Sequence, residues 1–457
     1  MDSTIPWPEF RGLGQEGRGL AQNPSSAFRC IEFAAENGTP DHINNLGVCY
    51  ARGVGIPKDL AKAVALYERA ANLGQMSALA NLGSYYEQGI HFEKNIEKAI
   101  EYYELASYQG EHFASYRLAD LYEAGTGVSK DARLAFQLFK QAAEQSYLPA
   151  IPRLAKCFEN GTGVDADQGA ALFWYRKGSY LGDVRCTYHV ARCLHNGIGI
   201  EPEVGIAVNI YNEAAEKGDC CAMNQLGQFH SSQIPTDITL SVDDYLAFSY
   251  FSRAAEKGCV AAMSNLGRVY RQGIGVDQNL DKAVEWLRKA SARGNANAEL
   301  ELLSAHTIGQ VALPDDELET IKSHMAINNP GEFELINALG RMDSSETAED
   351  VSKVVSDFER AYQLGKVEAA GFIAFCLHAL DGEGETTEHT RDALQWCKRG
   401  EEQDCPCAMV VHGFFLMKGY GVELDQAEGR RLFEEAGKAA DARIAPFVSM
   451  IASLARH

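Results

Sequence analysis

One glycine turn returns along this chain at a fixed step. "YARGVGIPKDLAKA" begins at Tyr50, and the phrase recurs as "YEAGTGVSKDARLA" at Tyr122, "FENGTGVDADQGAA" at Phe158, "LHNGIGIEPEVGIA" at Leu194, "YRQGIGVDQNLDKA" at Tyr270 and "LMKGYGVELDQAEG" at Leu416. The leading glycines Gly53, Gly89, Gly125, Gly161 and Gly197 are 36 residues apart. A second column, at Gly38, Gly74, Gly110, Gly182, Gly218, Gly258 and Gly294, keeps time with them, except for one step of 40 where "SSQIPTDITLSVDD" lengthens a turn. A period of this length marks a solenoid, in which each unit buries its apolar face only against its neighbours. Taken alone, the first turn also suits a phosphate, since amides in a glycine loop before a helix can cradle an anion. Six copies in series point instead to inter-helix turns, with glycine supplying the positive φ that ends a helix. Asp59, Asn95, Asp131, Asp167 and Asn279 then stand where a side-chain oxygen can cap the next helix. "GLGQEG", with Gly12, Gly14 and Gly17, fits a dinucleotide fingerprint on paper but has no strand before it.

Each period reads as two helices. Ile43, Leu46, Cys49 and Tyr50 recur at helical spacing in the first, and Ala63, Leu66, Tyr67, Ala70 and Ala71 in the second. Large pairs stand at one level of the second helix: Leu66-Tyr67, Tyr102-Tyr103, Leu138-Phe139, Trp174-Tyr175, Ile210-Tyr211, Tyr250-Phe251 and Trp286-Leu287. Small residues oppose them at Ala78, Ala114, Ala150, Ala222, Ala262 and Ala298, so that neighbouring helices approach closely without leaving voids. The expected fold is all-α, a right-handed α-solenoid superhelix of about eleven helix-turn-helix repeats. Its expected organisation is a flexible leader at 1–26, a regular solenoid at 27–294 that starts with a half-unit at 27–38, degenerate repeats at 295–365, C-terminal repeats at 366–440 and a capping helix at 441–457. Within the degenerate stretch Leu302 holds the first-helix leucine position and "DVSKVVSDFERAYQLG" reads as a second helix, while "VALPDDELET" and "MDSSETAED" read as loops that could form a hinge.

"LGVCYARGVGIPKDLAKAVALYERAANLG" resembles the Sel-one-like repeat, a tetratricopeptide-related helical pair. The resemblance rests on the Leu-Gly of the first helix, the Gly-x-Gly-Val/Ile turn, the acidic cap, the Lys-Ala start and the Ala-Ala-x-x-Gly end. It covers residues 39–294 and 405–440. It implies a non-enzymatic adaptor that holds protein or peptide partners for signalling, quality control, envelope regulation or host contact. Some cysteine-rich members of that family act on β-lactams and carry a cysteine pair in each repeat. Here Ala70 and Ala71 and their equivalents hold those positions, so that activity does not carry over.

Charge narrows the partners. With 42 basic and 63 acidic residues the formal balance is −21, a field that disfavours nucleic acid and anionic lipid surfaces. No signal-peptide core and no apolar run long enough to span a bilayer are seen, which makes cytoplasmic the expected location. Twelve cysteines would suit a disulfide framework in a small secreted protein but not in a chain of this size without a leader, so their positions decide their role. Cys186, His189 and Cys193 fall on one helix face at zinc-ligand spacing, but the repeat register makes Cys186 and Cys193 small apolar core residues and His189 an outer polar one. "CPC" at Cys405 to Cys407 has a redox or metal-binding alternative to packing, and "DGEGETTEH" from Asp381 reads as a solvated turn. No metalloprotease, nucleophile-elbow or Walker motif appears. The expectation is therefore no cofactor, no metal and no catalytic residue, with a β-lactam hydrolase or zinc enzyme as the alternative.

The first helices of such a superhelix line its concave side. Register then gathers Tyr116, Arg117, Arg153, Lys156, Tyr188, His189 and Arg192 into one groove, where arginines and tyrosines could grip an acidic or C-terminal peptide. The competing reading is a solvated polar face neutralised by Asp120, Glu123 and Glu159. Asn44, Asn45, Asn81, Asn224 and Asn265 extend the wall and could hold a peptide backbone. On the groove reading, reversing Arg117, Arg153 and Arg192 to Glu abolishes capture and leaves helicity intact.

Overall fold

A computed structural model describes residues 24–232, 242–342, 347–381, 387–439 and 445–455. Those residues are helical, with no strand among them. Contacts divide the chain into two compact units that meet in sequence at Lys217 and Gly218, inside the regular array.

In the first unit α1 (Pro24–Asn37) precedes five helix pairs. These are α2 (Pro40–Arg52) with α3 (Leu60–Asn72), α4 (Met76–Gln88) with α5 (Ile96–Tyr108), and α6 (His112–Ala124) with α7 (Ala132–Glu144). The series closes with α8 (Ala150–Asn160) and α9 (Gln168–Tyr180), then α10 (Val184–Asn196) and α11 (Val204–Glu216). The second unit has six pairs among its described residues. It opens with α12 (Cys220–His230) and α13 (Asp244–Glu256), α14 (Val260–Gln272) and α15 (Leu280–Ser291), and α16 (Ala296–Thr307) and α17 (Asp315–Asn328). It continues through α18 (Pro330–Met342) and α19 (Ala348–Gln363), α20 (Ala369–Leu380) and α21 (Glu388–Glu401), and α22 (Pro406–Lys418) and α23 (Gln426–Ala439), to a last helix, α24 (Ala445–Leu454). Every helix within a unit packs on the next, which makes each unit an α-solenoid. First helices also meet the first helix of the following pair, as α4 meets α6 and α12 meets α14, so they form the closer-spaced layer.

The punctuation works as its chemistry dictates. Gly53, Gly89, Gly125, Gly161 and Gly197 end first helices in the left-handed conformation. Asp59, Asn95, Asp131, Asp167 and Asn279 each accept the amide three residues on, at 2.8–3.0 Å. The second glycine of the turn has a packing reason. A Cβ at Gly55 would stand 2.2 Å from the Pro24 carbonyl oxygen, and one at Gly163 2.0 Å from that of Ala132. Main chain of the preceding repeat thus occupies the space an anion would need.

The core follows the large-and-small pattern. Tyr67, Tyr103, Phe139, Tyr175, Tyr211, Phe251 and Leu287 are fully buried, as are Ala78, Ala114, Ala150, Ala222, Ala262 and Ala298. Burial of one such ring side chain contributes roughly 1.5–3 kcal/mol. The first member of most large pairs is only partly buried, covering the edge of the core. At the C-terminus Phe447, Val448 and Ile451 of α24 are buried against the last pair.

Two details differ from the sequence reading. Helix α1 starts at Pro24, three residues inside the expected leader and ahead of the half-unit at 27–38, whereas 1–23 lie outside the described residues. "VALPDDELET" is not a loop throughout, because α17 begins at Asp315. Its first turn carries Asp315, Asp316 and Glu317, whose charges favour a helix N-terminus. "SSQIPTDITLSVDD", "DGEGETTEH" and "MDSSETAED" each fall partly outside the described residues, and "GLGQEG" wholly so. No helix among the described residues is long and apolar enough to cross a membrane.

Candidate partner-binding face

The residues gathered by register do lie on the first-helix layer: Tyr116 and Arg117 on α6, Arg153 and Lys156 on α8, and Tyr188, His189 and Arg192 on α10. Their arginines are not bare. Arg117 pairs with Glu87 on α4 and, at 3.1 Å, with Asp120 on its own helix. Arg153 bonds Asp120 at 2.9 Å and also pairs with Glu123, both on α6. Arg192 donates to both oxygens of Glu159 on α8, at 2.7 and 2.6 Å. Each guanidinium thus clamps its own first helix to the one before it. These side chains stay a quarter to a third exposed, at 27%, 33% and 25%. The competing reading of a neutralised face is therefore the one these geometries favour.

The second helix completes the clamp. Tyr103 Oη donates to Glu87 at 2.8 Å and Tyr175 Oη to Glu159 at 2.9 Å. Between them stands Phe139, which has no hydroxyl, and there Arg153 lies over the ring at 4.8 Å instead. Burial pushes Asp120 up, against the pull of Arg153 and Arg117. Burial would also raise Glu159, but hydrogen bonds from Arg192 and Tyr175 outweigh it and hold the carboxyl below its ordinary range.

The rings serve the fold in the same way. Tyr116 lies 5.9 Å from Phe139 and 5.5 Å from Tyr147; Tyr188 lies 5.1 Å from His189 and 5.8 Å from Tyr211. His189 is not an outer polar residue. Its ring stacks on Tyr175 at 4.5 Å, and burial, then the Arg192 charge, lower its pKa to about 4. Lys156 alone of the seven is exposed, with no ion pair seen among the described residues. The asparagine wall is also self-satisfied in part. Asn81 donates to Asn44 at 3.0 Å, and Asn265 to Asn224 at 2.8 Å, at equivalent positions of the two units.

The ligand atoms of Cys186, His189 and Cys193 do not gather into one group of three among the described residues. Cys186 and Cys193 are buried in the core, and burial raises both thiols, Cys193 to about 11. Cys405 and Cys407 are buried too. Among the described residues, the group of three with ligand atoms within 4.8 Å of one another is Cys220, Cys221 and Cys259. Sequence reading missed it because 39 residues and a lengthened turn separate its parts. The signal was in the register: after the 40-residue step Cys259 holds the cap position of Asp219, beside the start of the preceding first helix. The Cys259 thiol is lowered to about 6 by Cys221, against burial, with help from the Ala262 amide and from Cys220.

Comparison with known proteins agrees with this architecture. The Sel1 repeat matches at residues 12–39, 43–75, 77–111, 112–147, 150–183, 184–219, 222–259, 260–295 and 408–441. No curated protein matches the chain. Among solved structures, c5321, a protective antigen present in uropathogenic Escherichia coli strains that displays an SLR fold, is similar over 94% of this chain and 90% of its own, at 24% identity and a TM-score of 0.62. At that identity the likeness speaks for the fold alone. A Sel1 repeat protein from Oxalobacter formigenes is 27% identical over 61% of this chain and 79% of its own, with a TM-score of 0.47. With its repeats matched over more than half of its length, the chain belongs to the Sel1 repeat family.

Proposed function

We propose that this protein is a non-enzymatic scaffold or adaptor that holds a protein or peptide partner against its first-helix layer, on the face bordered by Tyr116, Arg117, Arg153, Lys156, Tyr188, His189 and Arg192. Membership of the family supports the class, since Sel1 repeat proteins are typically protein-interaction scaffolds. The observation that carries the location is Lys156, an exposed cation amid half-exposed rings and guanidinium forks. An acidic side chain or C-terminal carboxylate can meet Lys156 without breaking any clamp, and can then share the open edge of Arg153. The reading includes a reducing compartment such as the cytoplasm, where the twelve thiols stay reduced.

Reversal of all three arginines is a poor test, because the same change breaks the clamps between repeats. A photo-crosslinking residue at position 156 is cleaner, compared with the same residue replacing Tyr180, which is 91% exposed at the end of α9. One partner should be trapped at 156, not at 180, and Lys156→Glu in a second sample should abolish its binding. Equal trapping at both positions, or binding indifferent to Lys156→Glu, contradicts the location.

A further inference from the structure

We propose that Cys220, Cys221 and Cys259 form a three-thiolate site for a thiophilic d10 cation, with Zn2+ as the test ion. Three cysteine sulfurs lie within 4.8 Å of one another at the surface of the second unit. Tetrahedral zinc with Zn–S bonds of about 2.3 Å spaces its sulfurs by roughly 3.8 Å, so small side-chain adjustments close the cluster on the ion. Thiolates select soft cations over the hard, oxygen-seeking ones. Cys221 is exposed and Cys220 half-buried, which leaves an entry path, while Cys259 is buried and anchors the floor.

A second observation is independent of the distances. Gln75, Glu111, Asp183, Asp219 and Asn295 occupy the cap position before first helices, and each accepts the amide three residues on. Cys259 holds the same position before α14, with the Ala262 amide, three residues on, turned to its sulfur. Cys220 and Cys221 open α12 and Cys259 precedes α14, so all three sulfurs sit at helix N-termini, where the dipole favours the negative thiolate. Asp219 is engaged in capping Ala222 at 2.8 Å, so the fourth position falls to water. Binding forms three metal–sulfur bonds and releases to solvent the proton of each cysteine that is still a thiol at the working pH.

The test uses the full chain, reduced, stripped of metal and kept anaerobic. Titration with Co2+ should give an intense thiolate-to-metal charge-transfer band that saturates at one ion per chain, and Zn2+ should bleach it. Cys259→Ser restores a capping oxygen and should fold. It should weaken Zn2+ in chelator competition by more than the roughly 10–100-fold that loss of a supporting outer-shell group costs. Cys220→Ser should weaken it as well, and Cys405→Ser should leave it unchanged. Absence of the charge-transfer band, or its persistence at full strength in Cys259→Ser, overturns the site. So does a Cys221–Cys259 disulfide in protein alkylated during anaerobic isolation, which would make the pair a redox couple.

Discussion

In the first unit the cation of each thirty-residue pair stands on the later helix: Arg117 reaches back to Glu87 and Arg153 to Glu123. In the second unit the polarity is reversed. Arg271 stands on the earlier helix, at the position of Glu87, and reaches thirty residues forward to Glu301 at 2.7 Å. The second helices account for part of this polarity, though not for Glu123, which stands beside Phe139 and meets no hydroxyl. Beside Glu87 and Glu159 stand Tyr103 and Tyr175, whose hydroxyls need acceptors, whereas the equivalent residue beside Arg271 is Leu287, which donates nothing. Arginine has no acceptor, so it fits beside leucine and would leave a buried tyrosine hydroxyl unmet. The contrast teaches that repeat register fixes where two charges meet, while a buried tyrosine hydroxyl, where there is one, requires the acceptor on the earlier helix.

The severest way to break this comparison is to reverse Arg117, Arg153 and Arg192 to Glu together. Breaking a buried pair costs ~3–5 kcal/mol and these are partly exposed, so the triple change should remove more than about 5 kcal/mol. Urea unfolding followed by circular dichroism should show the first unit melting early. Retained stability with lost partner binding would return these arginines to the partner alone.

A sharper test exchanges the polarity. Arg117→Glu alone should cost about 3 kcal/mol, because two carboxylates then face each other. Adding Glu87→Arg should recover part of that, and adding Tyr103→Leu should recover most of the rest by removing the hydroxyl that Arg cannot satisfy. If the third change makes matters worse, the tyrosine is not what sets the sign.

The asparagine pairs offer a milder comparison, since the same bond recurs in both units. Asn81 is fully buried, so Asn81→Ala strands its partner Asn44 and should cost about 1–2 kcal/mol. Asn265→Ala should cost less, because its bond to Asn224 is only part-buried. Equal effects would show that burial does not separate them.

Acid tests the stack of His189 on Tyr175. The His189 pKa is about 4 in the fold against 6.5 ordinarily, so the fold excludes the added proton. Its contribution is complete above pH 6.5 and is lost as pH falls towards 4, by roughly 1 kcal/mol or more. Glu159, also lowered, acts in the same direction, while the raised Asp120 acts in the opposite one. His189→Phe keeps the stack on Tyr175 and should flatten the loss between pH 6.5 and 4, read from melting temperatures across that range.

Much of the architecture could be read from local chemistry. The positive-φ glycines, the Asp/Asn caps and the Tyr67-to-Leu287 column each act within a few residues, so the sequence displays them directly. Even Asp315, Asp316 and Glu317 carried a helix-start signal, hidden by a period that decays there. The clamps were less visible. Asp120, Glu123 and Glu159 could be named as neutralising neighbours; Glu87 was passed over, although it stands 36 residues before Glu123 in the same column. His189 looked polar and outward until Tyr175 was placed under it. The thiol cluster needed two adjacent caps to be superposed across an irregular step, which periodicity alone does not do.

The account turns on Arg117 and its equivalents acting as fasteners between repeats, and a double-mutant cycle on Arg117→Ala and Glu87→Ala measures this directly. The account predicts a coupling free energy of about 1–3 kcal/mol, outside the range of an ordinary surface pair. A coupling indistinguishable from zero would contradict it.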